Sequence, residues 1–270
     1  MVPSILKQFM MRGSLRERIR VKRLAGKYRI GDHWKRIYFY HVRKAAGTSI
    51  NYAFLSLGGE TGRDVYEKMP SLHNHRILSG NKIFLGWNRS LIERGDYFYA
   101  FSHIPAHELR LPDRTFSFTC IRDPAQRVLS HYKMLLEYRE SPAPPAWFEK
   151  EGDWLGEGFR DFLSKIPQEH LLNQLYMFSS TLNPDEAFNR ITHCSHCFLV
   201  EGFSRGITEL SEKIGIELNP MHVRKTLTDP HISSEEVERL HSILEPEYIL
   251  YDNLKKYLST SDIARFRQNG

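Results

Sequence analysis

Hydrophobic and polar positions divide the chain into short apolar runs joined by amphipathic stretches. Arg36-Ile37-Tyr38-Phe39-Tyr40 is β-branched and aromatic, and it predicts a buried strand. Ile50 to Leu55 holds no Pro or Gly and predicts a helix, closed by Gly58-Gly59. Tyr97 to His103 predicts a second strand, stopped by Ile104-Pro105. Thr115 to Ile121 predicts a third, almost wholly apolar or β-forming, as a central parallel strand should be. Pro124 suits the first turn of a helix reaching Arg139, with Val128, Leu129, Tyr132, Leu135 and Leu136 on its apolar face. Helical spacing returns at 159–166, 170–179, 185–193 and 207–214, with a short buried strand at Phe198-Leu199-Val200. A last helix is capped at Ser233 and runs to Tyr257. Strands alternating with helices predict an α/β chain.

Three stretches lack such a pattern. Residues 60–95 read as an irregular connection able to line a cleft, carrying Tyr66, His73, His75, Arg76, Trp87 and Arg89. Ser141-Pro142-Ala143-Pro144-Pro145 breaks the chain, and the residues up to Gly158 read as a flexible loop or lid. Residues 1–30 are crowded with Lys and Arg and read as a solvated, partly frayed arm. The sharper reading is a basic amphipathic helix touching a membrane surface or a polyanion. The expected organisation is an arm (1–30), one domain (31–260) and a frayed tail (261–270).

At 270 residues the chain can bury a real core, and its net charge of +6 favours anionic ligands. Three cysteines cannot build a disulfide framework. No apolar run spans a bilayer and no leader cleavage site is evident, so the expected location is cytoplasmic. Cys194-x2-Cys197, with His193 and His196, lacks a second ligand pair, and no metal site is expected. No array of basic and aromatic residues suggests nucleic acid.

The candidate chemistry lies where the strands end. His41-Val42-Arg43-Lys44-Ala45-Ala46-Gly47-Thr48-Ser49 is a small-residue loop with a Lys inside it, entering a helix that Thr48 or Ser49 could cap. A helix N-terminus, a flexible Gly and a Lys together make a phosphate site. Gly-x4-Gly-Lys-Ser/Thr is absent. His103 and Arg122 both fall at carboxyl ends of strands, where open α/β sheets bind ligands, and Ser130 lies two turns into the next helix. His222-Val223-Arg224-Lys225-Thr226 offers a second cationic clamp.

Two signatures coincide: a strand, His41-x-x-Lys44-x-x-Gly47-Thr48-Ser49 and a helix, then a strand, Arg122-Asp123-Pro124-x-x-Arg127-x-x-Ser130-x-Tyr132 on a helix. Together they resemble the sulfotransferases that use 3′-phosphoadenosine 5′-phosphosulfate, with the closest likeness to the carbohydrate branch of heparan sulfate and uronyl 2-O-sulfotransferases. Weaker similarity runs through Phe198 to Phe203, Val223 to Thr226 and Glu245-Pro246-Glu247-Tyr248. The resemblance implies a P-loop-like three-layer sandwich with a central parallel sheet flanked by helices. It implies that Arg43, Lys44, Ala46, Gly47, Thr48 and Ser49 hold the 5′-phosphosulfate, and that Arg122 and Ser130 hold the 3′-phosphate. Arg224, Lys225 and Thr226 would close over the nucleotide, Lys44 would stabilise the leaving oxygen, and His103 would be the general base toward an acceptor hydroxyl, with a glycan as first choice. Relatives often carry Pro-Lys-Thr at Arg43-Lys44-Ala45, and the 2-O-sulfotransferases carry a second His at the position of Phe101. The uronic-acid substrate therefore does not follow. The competing readings are a P-loop-like nucleotide kinase and a non-catalytic polyanion-binding protein.

Overall fold

The computed structural model describes residues 15–220 and 230–268. Its six strands, β1 (Arg36–Tyr40), β2 (Arg76–Ser79), β3 (Lys82–Gly86), β4 (Tyr99–Ser102), β5 (Thr115–Ile121) and β6 (His196–Leu199), form one sheet in the order β2-β3-β4-β1-β5-β6. Every neighbouring pair is parallel except the β2–β3 hairpin at one edge. β1 is central because both faces and both edges of its apolar run are covered. Ile37 pairs with Tyr99 on one side and Phe116 on the other, and Phe39 with Phe101 and Phe118.

Side chains alternate across a strand, so β1 feeds two cores. Ile37 and Phe39 face the helices Gly47–Ser56 and Phe203–Ile214, where Phe39 stacks on Phe118 at 4.8 Å and Phe54 on Tyr99 at 4.1 Å. Tyr38 and Tyr40 face the opposite layer, which holds Val128 and Leu135 of Pro124–Arg139, Ile191 of Pro184–Thr192 and Leu250 of Glu245–Gln268. The expected three-layer α/β sandwich is the observed architecture, with an antiparallel hairpin added at the edge.

The stretch 60–95 departs from expectation, because it is ordered throughout. Thr61 caps a helix at Gly62–Lys68, and Asn88 caps another at Arg89–Arg94. Between them Gly80-Asn81 turns β2 into β3, and Gly80 is required there: its φ is 54°, and a Cβ would meet the Gly58 carbonyl oxygen at 2.7 Å. The second predicted strand is shorter, Tyr99–Ser102. β6 begins at His196 rather than Phe198, and the helix expected from 207 starts at Phe203.

The basic arm is partly built into the domain. A helix at Leu15–Ala25 lays Val21, Leu24 and Ala25 against the core, Glu17 pairs with Arg76, and Tyr28 and Ile30 are buried. The frayed arm therefore does not extend over 15–30, and residues 1–14 lie outside the described residues. At the other end the last helix continues through Gln268 where a frayed tail was expected. Among the described residues, no helix is long and apolar enough to cross a membrane.

Candidate active site

β1 ends at Tyr40, and His41 to Ala46 turn the chain onto the helix Gly47–Ser56. Two residues of this turn occupy left-handed space although neither is glycine: Lys44 at φ 63° and Ala46 at φ 58°. Such positions gather at ligand sites. The left-handed turn makes Ala46 the residue before the helix, and no side chain caps it. Thr48 and Ser49, expected as caps, sit inside the first turn and line the cleft instead. The first-turn N–H groups thus stay open toward an anion. Gly47 is obligatory for a steric reason, since a Cβ there would lie 1.8 Å from Nε2 of His41.

One cleft of about 780 Å³ gathers Lys44, Ala46, Gly47, Thr48, Ser49, Arg122, Ser130, His41 and His103. Arg122, at the end of β5, donates from its guanidinium to the Lys44 carbonyl oxygen at 3.2 Å, so both cationic residues stand on the same side of the sheet. Asp123 caps the following helix through the Gln126 N–H, which places Ser130 along the cleft wall. Gln174 holds the Arg122 backbone, accepting its N–H at 2.8 Å and donating to its carbonyl at 3.0 Å. Gln174 is fixed in turn by Glu247, whose carboxylate accepts the Gln174 backbone N–H at 2.7 Å and approaches Arg127 at 3.5 Å. Both members of that ion pair are fully buried. The arginine of Arg122-Asp123-Pro124-x-x-Arg127 and the glutamate of Glu245-Pro246-Glu247 are therefore one buried scaffold under Arg122.

His103 follows the last residue of β4. Its Nδ1 lies 2.6 Å from the His41 carbonyl oxygen. A carbonyl only accepts, so Nδ1 carries the proton and Nε2 keeps its lone pair. Burial, then the positive charge of Arg43, pushes His103 down to about 4, and the bond to the His41 carbonyl only partly offsets this. The imidazole is neutral at neutral pH and can accept a proton at Nε2.

Arg43 also lines the cleft, and its side chain makes contacts of its own. Its guanidinium grips Glu151 through two bonds of 2.6 and 2.7 Å and meets His170 Nδ1 at 3.2 Å. It also lies 5.9 Å from the Trp147 ring centroid. Its side chain thus ties the proline-bounded loop of residues 141–158 to the cradle. Burial opposes the charge on Glu151, but hydrogen bonds from His131 and Arg43 outweigh it and hold the carboxyl down at about 2. Much of the remaining wall is aromatic, with Tyr52, Tyr66, His75, Trp87, Tyr138 and Trp147, and it also carries the carboxylates of Glu67, Glu137 and Glu151. Trp87 packs edge-on to Phe101 at 4.9 Å, and Asn74, His75 and Trp87 all have positive φ.

Arg224, Lys225 and Thr226 lie outside the described residues. Cys194, just before β6, and Cys197, within it, are free thiols, and among the described residues no group of three or more His, Cys, Asp or Glu side chains could hold a metal ion. Asn51, Gln174, Glu151 and Glu247 are the site residues that reasoning from sequence missed. Each is an ordinary polar residue of a helical stretch with polar neighbours, and for Glu247 the only signal was its place in Glu245-Pro246-Glu247-Tyr248.

A mostly parallel sheet carrying an uncapped helix start, a lysine, an arginine and a neutral imidazole at its strand ends is built for group transfer to or from an anionic donor. The family model described as the sulfotransferase family matches residues 29–242, and the chain belongs to that family. It is a transferase of the sulfuryl-moving kind, as the two signatures implied. No curated protein shows a significant match to the chain.

Proposed function

We propose that the protein transfers the sulfuryl group of 3′-phosphoadenosine 5′-phosphosulfate to a hydroxyl of a carbohydrate, with His103 as general base. The observation that carries this reading is that Lys44 and Arg122 line one cleft, with the Arg122 guanidinium 3.2 Å from the Lys44 carbonyl oxygen, beside an open helix start and with His103 on the same cleft. A donor with phosphate at both ends of an adenosine needs two such cationic points. The residues fit it: no side chain caps the helix start at Ala46, and the absence of a Cβ at Gly47 lets the His41 imidazole pack against the turn beside it. Lys44, Gly47, Thr48 and Ser49 would hold the phosphosulfate, and Arg122 and Ser130 the 3′-phosphate. When bound, the donor supplies a sulfur whose bond to the phosphate oxygen breaks as it bonds the acceptor oxygen.

The chain's own groups do the rest. The Lys44 ammonium and the first-turn N–H groups neutralise the charge left on phosphate. His103 Nε2 takes the acceptor proton, a contribution of about 10²–10⁴ in rate. The ring faces of Trp87, Tyr66 and Trp147 suit the apolar faces of sugar rings, and few polar groups among them orient the hydroxyl. Location in the cytoplasm and contact of the N-terminal arm with a membrane surface remain proposals from the sequence.

Calorimetry with adenosine 3′,5′-bisphosphate tests the donor reading. His103→Ala should bind it as wild type does while losing most turnover, Lys44→Ala should lose most turnover, and Arg122→Ala should bind it at least tenfold more weakly. Equal binding by wild type and Arg122→Ala rejects the 3′-phosphate role. Transfer of labelled sulfate onto a panel of glycans, lipids and phenols tests the acceptor. Incorporation into phenols alone rejects the carbohydrate reading.

A further inference from the structure

The His41 side chain has no task in the mechanism above, yet it lines the cleft 4.3 Å, ring centre to ring centre, from His103. It stacks on Phe39 at 5.2 Å and is 6 % exposed. Its Nδ1 faces Nδ2 of Asn51 at 3.4 Å, and Oδ1 of Asn51 accepts the hydroxyl proton of Tyr99 at 2.7 Å. All three residues are buried. The buried Tyr99 hydroxyl needs an acceptor, and Asn51 Oδ1 is the one it meets, so the amide is oriented with its NH₂ toward His41. An NH₂ only donates. His41 Nδ1 must therefore be the lone-pair nitrogen, and the proton sits on Nε2, the edge that rests over Gly47 at the helix start. The two neighbouring imidazoles are thus set in opposite tautomers. His103 has its proton inward on Nδ1 and a lone pair at Nε2, while His41 has its lone pair inward and an N–H at Nε2.

We infer that His41 is a second catalytic residue, a neutral Nε2–H donor to the sulfuryl oxygens of a group held between Gly47 and His103, locked in that tautomer by the Tyr99–Asn51 relay. The inference rests on the sulfuryl-transfer reading of the site. An adjacent donor neutralises charge on the oxygens around sulfur while His103 accepts the proton, and neither imidazole has to change tautomer first. Burial, with His103, Arg43 and Lys44 nearby, holds His41 well below its usual range, so it stays neutral beside the base.

Long-range ¹H–¹⁵N correlation spectra of the histidine-labelled full chain at neutral pH read both tautomers directly. The expected result is a protonated Nε2 in His41 and a protonated Nδ1 in His103. A protonated Nδ1 in His41 overturns the inference. In the kinetic arm, His41→Phe should lose about 10²–10³ in kcat, the usual effect of removing one oxyanion donor, with adenosine bisphosphate affinity within threefold of wild type. His41→Gln, whose amide reaches the Nε2 position, should recover most of that loss. Asn51→Asp keeps the imidazole but accepts from Nδ1, moving the proton away from the cleft, and should lose kcat as His41→Phe does. Wild-type kcat in folded His41→Phe or Asn51→Asp overturns the donor role. Failure of the wild type to bind adenosine bisphosphate sinks the proposed function instead, and the spectra still decide the tautomers.

Discussion

Removing Glu247 isolates a cation in the core. Arg127 and Glu247 are both 0 % exposed, with guanidinium and carboxylate 3.5 Å apart. In Glu247→Ala the Arg127 charge keeps only the His170 and Leu171 carbonyls, and the Gln174 backbone N–H loses its 2.7 Å acceptor. Breaking a buried pair from one side costs about 3–5 kcal/mol, a large part of a typical total of about 5–15 kcal/mol. With a urea slope of about 3 kcal/mol/M, the unfolding midpoint should fall by about 1–1.7 M, read by tryptophan fluorescence. A cycle with Arg127→Met should return a coupling near the top of the usual range of about 0.5–3 kcal/mol. The reasoning is refuted by a loss in Glu247→Ala under about 1 kcal/mol, or by a coupling near zero. Because Glu247 orients the Gln174 that pins the Arg122 backbone, Gln174→Ala should weaken adenosine bisphosphate binding by calorimetry without removing any charge.

Three further outcomes follow from the same geometry. His103 must be neutral to accept a proton and is pushed down to about 4, so kcat/KM should fall on the acid side only as pH approaches 4; a limb near 6.5 contradicts this. His103 and His131 are both held at about 4, below the ordinary value near 6.5, chiefly by burial. The unfolded chain therefore takes up their protons first, so stability rises with pH across that window and is lost as pH falls from 6.5 toward 4. Denaturant titrations should show the decline, and His131→Gln should flatten it; a wild type equally stable at pH 7 and 5 contradicts it. Trp87→Ala should raise the acceptor KM about tenfold or more while leaving adenosine bisphosphate affinity unchanged, and an unchanged acceptor KM removes Trp87 from the acceptor wall.

The sheet's central strands were legible because they are buried on both faces, so Ile37 to Tyr40 and Phe116 to Ile121 carry the signal in residue type alone. The cradle was legible because Gly, Lys and the strand before them must sit in fixed order. The hairpin was not, because Arg76-Ile77-Leu78-Ser79 is an edge strand of mixed polarity, although Gly80-Asn81 between two short runs was an available turn signal. The cap was misplaced at Thr48 or Ser49 because the left-handed backbone of Ala46, set by the whole turn, leaves no trace in residue type. The side-chain partnership of Arg43 with Glu151 joins positions 108 apart in the chain, and no local pattern encodes a pairing across that distance.

The place of β1 between β4 and β5 dictates an order of assembly. During synthesis the cradle emerges early, yet the two neighbours that fix its strand follow only later, β4 by residue 102 and β5 not until residue 121 has left the ribosome. A nascent chain halted before β5 would carry Lys44 and Gly47 on a strand flanked on one side only, with the Arg122 point still unmade. Completion of the cleft is thus a late event in the life of each molecule, reached by the closing of a long loop rather than by translation of the loop residues themselves.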